Sequence, residues 1–370
     1  MSLRSVLLAL VGLLPAAGCG FQPGAAELAW GLSAKSREEL AEAPQAQSEL
    51  ARLLEQNFGT PADPRFPPAP QGGLAELKPE RRAALERNNQ TRGLAADHYP
   101  TPLESAELYR VHCLHCHGAA GAGDGPTAAS INPKPRDFRK GIFKWAAVKD
   151  KARPRREDLT TILENGVYGT AMHSFARLPV AEIEGLADHV RLLSVRGEVE
   201  TLAVNHFKEE DELDEELFGE HIDTVWSRWQ RAESKFIAWE GEIPSDSPAM
   251  RARGRELYLD ARKGNCVQCH GDAGKGDGPA AWKINAKGKK ELAYLDDWGF
   301  PIQPRDLTQG IYRGGARPID IYRRIYAGIN GGPMPGIGET KNSQGGPLVS
   351  SDDLWALVHY VRSIPEGAGP

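Results

Sequence analysis

The fold class expected from this sequence is all-α, arranged as two copies of one domain. Three observations point there. The landmarks between Tyr99 and Ser194 return in the same order between Arg251 and Pro365, the mark of an internal repeat. Gly (40) and Pro (27) make up nearly one residue in five of the 370, which predicts short helices joined by many loops. Outside the repeats, apolar residues keep helical spacing, at Leu40, Leu50, Leu53 and Leu54 and again from Leu217 to Phe236. The hydrophobic fraction is 40% and the net charge −5. Those values suit a soluble globular chain of two or three domains and exclude a generic basic nucleic-acid binder.

Residues 1–18 read as an export signal. Arg4 precedes the apolar run Val6–Leu14, and Pro15-Ala16-Ala17-Gly18 leads to Cys19. The run is too short to span a bilayer. Cys19 stands where bacterial lipoproteins carry their lipidated cysteine, although Ala16 replaces the usual Leu of that box; the alternative is an ordinary cleaved signal and a stray thiol. Residues 19–98 are an Ala-, Glu- and Pro-rich tether or packing extension, with Ser36–Phe58 expected to be helical.

The first copy, 99–197, runs from Glu107-Leu108-Tyr109 through Cys113-Leu114-His115-Cys116-His117-Gly118 to Gly123-Asp124-Gly125-Pro126 and Pro135-Arg136-Asp137. Asp158, Gly166 and Met172 follow, then a final helix holding His189. The second, 251–370, repeats this as Glu256-Leu257-Tyr258, Cys266-Val267-Gln268-Cys269-His270-Gly271, Gly276-Asp277-Gly278-Pro279 and Pro304-Arg305-Asp306. Asp320, Gly328 and Met334 complete it, with a longer loop at 281–303. Between the copies, residues 198–250 form an acidic insert. Glu198–Asp246 holds 15 acidic residues against 4 basic ones; its second half, Leu217–Trp239, is expected to be a solvated helix bridging two domains, with its aromatics packed on them, rather than a docking site for a basic partner.

Cys113, Cys116 and His117 stand at i, i+3 and i+4, as do Cys266, Cys269 and His270. On a helix these positions share a face. Two thiols can then add to the vinyl groups of one haem while the imidazole points at iron. Half of a zinc site and a redox dithiol are the competing readings. Each motif sits in its own complete repeat, and no βαβ pattern accompanies either.

Both repeats resemble class I cytochrome c domains, and the chain resembles a bacterial dihaem cytochrome c. The resemblance implies small helical bundles, two covalently attached c-type haems and electron transfer without catalytic residues. It implies a Met as sixth iron ligand in a downstream loop: Met172, 56 residues after Cys116, and Met334, 65 after Cys269. His173, where Pro335 stands in the second copy, leaves Met172 or His173 open at the first iron. The resemblance also implies a proline carbonyl behind each imidazole, Pro133 or Pro135 and Pro304, and a propionate-binding cation, Arg136 and Arg305. Salt bridges from those arginines to Asp137 and Asp306 are the alternative. The expected function is a periplasmic, lipid-anchored carrier passing single electrons between redox proteins at a membrane surface. The rivals are a dihaem peroxidase and a fixed subunit of a respiratory or molybdenum-enzyme complex.

Overall fold

The computed structural model describes residues 30–66 and 73–366; the signal segment and Cys19 lie outside them. The extension supplies α1 (Ala34–Glu39), α2 (Pro44–Phe58) and α3 (Pro79–Thr91). The expected single helix over Ser36–Phe58 is two, because Pro44 cannot continue a helix and instead opens the next one at its first position. A two-residue hairpin, β1 (Gly59–Thr60) with β2 (Asp63–Pro64), follows α2.

The first copy contains α4 (Pro102–His112), the attachment turn α5 (Leu114–His117), α6 (Arg156–Asn165) and α7 (Val180–Glu210). The insert adds α8 (Glu215–Gln230). The second copy contains α9 (Pro248–Leu259), α10 (Val267–His270), α11 (Pro318–Ala327) and α12 (Ser351–Ser363). Its extra loop folds into an antiparallel hairpin of β3 (Trp282–Ile284) and β4 (Lys290–Leu292).

Matching sequence produces matching local physics. Thr101 caps α4 and Ser247 caps α9, each hydroxyl accepting from a backbone N–H three residues on, with Pro next in line. Asp158 and Asp320 accept from the backbone N–H three residues back, closing the starts of α6 and α11. In each copy the first and last helices cross at small residues. Ser105 meets Gly185 in the first, and Gly254 meets Ala356 in the second.

The boundary expected at residue 197 falls inside α7, and over α8 the acidic insert is packed into the first core rather than forming a solvated bridge. Val199, Ala203 and Val204 on α7 and Phe218, Ile222, Val225, Trp226 and Trp229 on α8 belong to the first core. Glu198 is buried there, held by Arg153 and by the Trp229 indole N–H at 2.9 Å. The bridge is the insert's tail. Ile237 N–H donates to Ala147 O at 2.9 Å, Phe236 lies between Arg155 and Arg323, one from each copy, and Trp239 packs on Tyr322 and Trp355 of the second core.

The extension is likewise structural. Leu50, Leu53, Leu54 and Phe58 are fully buried in the first core. Burying one such leucine stabilises by about 1.5–3 kcal/mol. Glu76 and Arg81 join an ion network with Arg156, Glu184, Asp188 and Arg191, in which Arg156 reaches Asp188 at 2.6 Å and Glu184 at 2.7 Å.

The two copies face each other with near-twofold logic. Ile142 of the first lies by Gly331 of the second, and its counterpart Ile311 lies by Gly169 of the first; Trp145 packs on Gly314, its own counterpart. A patch that meets its own equivalent is the signature of an isologous contact.

Leu53→Ala is expected to cost about 2–5 kcal/mol in chemical denaturation. A loss below about 0.5 kcal/mol, the range of surface substitutions, would show that the extension is not part of the first core.

Candidate haem sites

A helix of four residues cannot hold itself together, since nucleation costs more than its few hydrogen bonds return. Both attachment turns are therefore held from outside, in the same way. Tyr109 and Tyr258, at the ends of α4 and α9, each donate a buried hydroxyl to the carbonyl closing the turn, Gly118 O and Gly271 O, both at 2.8 Å. Gly123 and Gly276 donate to His117 O and His270 O at 2.9 and 2.8 Å, and Gly125 and Gly278 donate to Cys116 O and Cys269 O at 3.2 Å. The Gly-Asp-Gly-Pro turns thus wrap the attachment turns. The tyrosines were visible in the sequence as repeated Glu-Leu-Tyr landmarks, but their role was not.

His117 Nδ1 donates to Arg136 O at 3.0 Å, and His270 Nδ1 to Arg305 O at 3.1 Å. This corrects the expectation that Pro133, Pro135 or Pro304 supplies the acceptor. The acceptor is one residue further on. Pro135 O is turned instead toward Gly123, where a Cβ would come within 2.6 Å of it. Pro304 O lies against Gly276 in the same way. Burial pushes His117 down to about 4 and lowers His270, against the opposing effect of those carbonyl bonds. Both imidazoles are therefore neutral at neutral pH, with Nδ1 engaged, so Nε2 is the nitrogen left for a metal. Phe138 stacks on His117 with ring centres 4.4 Å apart.

The four cysteines of the two motifs are free. Burial raises Cys113 and Cys266 to about 12, so both are thiols rather than thiolates at neutral pH. The described residues hold no cluster of three or more His, Cys, Asp or Glu suited to a metal ion. The donor set thus fits haem in both copies: two thiols and one oriented neutral imidazole on a single turn.

The loops bearing Met172 and Met334 are also equivalent. Val167 N–H donates to Met172 O at 2.8 Å and Ile329 N–H to Met334 O at 3.0 Å. Gly166 and Gly328, at φ 67° and 75°, start these loops. A Cβ there would lie 2.6 Å from Met172 O and 2.5 Å from Met334 O, so only glycine lets the loop turn back. Met172 is half-buried against the first core and Met334 is half-buried. His173 is exposed, its ring 4.3 Å from that of Phe175.

The arginines make neither expected salt bridge. Asp137 is held by Arg139 at 2.8 and 2.9 Å, and Asp306 accepts from Thr308 and Gln309. Arg305 donates to Ile311 O at 3.1 Å. Arg136 lies over the Trp298 ring of the other copy, 3.5 Å from its centre. Its burial pushes it down to about 10, against the pull of Asp296, Asp137 and Asp297, so it remains cationic at neutral pH. His189 and His359 are buried. His359 Nε2 donates to Pro244 O at 2.8 Å. His189 packs between Tyr109 and Trp30, at the place where the second copy has Tyr360 on Tyr258.

Both copies match known family models. Residues 251–365 match the family described as cytochrome c, and residues 100–190 match the family described as cytochrome C oxidase, cbb3-type, subunit III. No curated protein matches the chain. A solved chain titled Kuenenia stuttgartiensis reducing HAO-like protein complex is 26% identical, with a TM-score of 0.52; the likeness covers 72% of this chain and 97% of that one. The architecture is all-α with tandem cytochrome c domains, and such domains bind c-type haem and transfer electrons. No described helix is long and apolar enough to cross a membrane.

His189 is held by burial down to about 3, against an unfolded value of about 6.5. The unfolded chain binds the extra proton between these values, so this group's contribution to stability is present above pH 6.5 and is lost as pH falls toward 3. Denaturation of His189→Phe across that window should show a shallower fall in stability than the parent. An unchanged slope would contradict a neutral buried imidazole.

Proposed function

We propose that this protein is an exported dihaem electron carrier, lipid-anchored at Cys19, that acts as the cytochrome subunit of a larger redox assembly. The observation that carries the reading is the duplicated attachment turn, with each imidazole held through Nδ1 by a loop carbonyl at 3.0 and 3.1 Å. Haem c supplies a one-electron Fe(III)/Fe(II) couple when bound. Everything else belongs to the chain. Cys113 with Cys116, and Cys266 with Cys269, would form the thioether links, each S–H adding across a vinyl group. His117 and His270 offer Nε2 to iron, their tautomer set by Arg136 O and Arg305 O. Met172 and Met334, on equivalent loops, would supply the sulfur ligands; the surface position of His173 favours Met172 in the first copy. Arg136 and Arg305 place a cation beside each proximal loop, suited to a carboxylate edge. No proton needs moving, and no acid or base is assigned.

Of the rival readings, the fixed subunit is favoured over the free shuttle. The likeness to a chain of a protein complex extends over 97% of that chain. The extension and insert, surplus to a small carrier, are built into the first core. The partners are redox proteins at the membrane surface of the periplasm, and nucleic acid is not among them. A respiratory or molybdenum-enzyme complex is the class of assembly such a subunit serves. The exposed position of His173 adds no support to the peroxidase alternative.

The test begins with haem stoichiometry. Alkaline pyridine spectra should give two haems per chain, falling to one in Cys113→Ser/Cys116→Ser and to one in Cys266→Ser/Cys269→Ser. In the oxidised protein, Met172→Ala and Met334→Ala should each remove half of the near-infrared methionine–iron band. Loss of half that band in His173→Ala, but not in Met172→Ala, would reassign the first iron.

A further inference from the structure

The loop at 281–303 is where the second copy departs most from the first, and the haem-holding scheme above makes no use of it. It delivers Trp298 into the seam between the copies. The indole N–H donates to Asp137 O at 3.3 Å, and the Arg136 guanidinium lies 3.5 Å over the ring. Arg136 is the residue whose carbonyl accepts from His117 at 3.0 Å. The opposite edge of the indole lies against Gly331, three residues before Met334, where a Cβ would come within 2.5 Å of the ring. The residues just before Trp298 grip the same two places. Asp296 pairs with Lys144 of the first copy at 2.8 Å, both largely buried, and Asp297 N–H donates to Gly331 O at 3.1 Å. One side chain therefore touches the loop behind the first imidazole and the loop before the second methionine.

We infer that Trp298 is a positioning residue shared by both haem sites, fixing the proximal loop of the first and the axial loop of the second so that their reduction potentials are set together. The inference rests on the two-haem reading. Its physical basis is packing and dielectric. The indole covers Arg136 with low-polarity surface, and its N–H occupies the carbonyl next to the one that orients His117. Removing it admits water to the seam. Water favours the more highly charged oxidised iron, so the potentials fall.

The experiment is a spectroelectrochemical titration of the full holoprotein, in which dithionite supplies one electron per iron and ferricyanide removes it, with no bond or proton changed. In Trp298→Ala both midpoints are expected to fall, at least one by tenfold in equilibrium constant, about 59 mV for one electron. Trp298→Phe keeps a ring against Arg136 and Gly331 and should restore at least half of that shift. Trp282→Ala, in the same loop with its ring stacked on Lys290, should leave both midpoints within twofold in equilibrium constant. If the alanine variant does not accumulate, Trp298→Leu carries the same expectation, since it keeps bulk but neither ring nor N–H. Midpoints within twofold of the parent in a Trp298 variant carrying both haems overturn the inference and leave the electron-carrier reading standing. Equal shifts in Trp282→Ala and Trp298→Ala overturn it as well, by showing an effect of the whole loop. A parent protein without bound haem overturns both readings.

Discussion

An imidazole offers two nitrogens, and in both copies of this protein one of them is already taken. The hydrogen bond from Nδ1 to a loop carbonyl, His117 to Arg136 and His270 to Arg305, constrains much of the rest. It requires the Pro-Arg-Asp loop to come back across the attachment turn. The turn must in turn be rigid enough to aim Nε2 outward. Four residues of helix cannot supply that rigidity. Tyr109 and Tyr258 pin its last carbonyl, and the Gly-Asp-Gly-Pro turns bond to the carbonyls of its histidine and second cysteine. The buried tyrosines themselves need a wall, which the final helix provides through His189 in one copy and Tyr360 in the other. The bundle is thus assembled inward toward one nitrogen atom in each half.

How much of this was legible in the sequence depends on whether the chemistry fixes side chains or backbone. The i, i+3, i+4 spacing of Cys113, Cys116 and His117 is a side-chain requirement, so it is written in residue types and is readable twice. The same holds for Asp158 and Asp320 and for Gly166 and Gly328, whose gaps match because the loops they open are superposable. The acceptor behind the imidazole is a carbonyl, and every residue has one. Sequence therefore located the right loop and missed the residue by one, at Pro135 and Pro304 in place of Arg136 and Arg305.

The extent of the first domain was hidden for a different reason. The acidic stretch that begins at Glu198 sets the expected end of the first copy at residue 197. In the fold, Gly197 has no side chain because α7 passes directly over the backbone of Arg139, where a Cβ would lie 2.6 Å from its Cα. Glu200 accepts from Ser33 N–H at 2.7 Å, and Glu198 from the Trp229 indole. Charge composition cannot separate a solvated carboxylate from one whose partners lie far away in sequence. Trp30, which donates to Ala119 O from 89 residues away, escaped notice for the same reason.

The two copies therefore share a site plan and differ in what is loaded onto it. Leu192, the counterpart of Ser363 at the end of α12, is mid-helix in α7. The helix runs on to collect α8 and the N-terminal extension into one core. The second copy keeps a smaller core and places its surplus at the seam, in the loop that carries Trp298. A flexible tether would let two carrier domains move independently. Here Lys144–Asp296, Arg136 over Trp298, and Phe236 between Arg155 and Arg323 each join one copy to the other or to the insert's tail. Arg324 of α11 also donates to Lys144 O and Ala146 O. Cationic groups with several such partners, some of them buried, are costly to expose singly. The relative placement of the two sites is therefore held by side-chain contacts drawn from both copies and from the insert's tail.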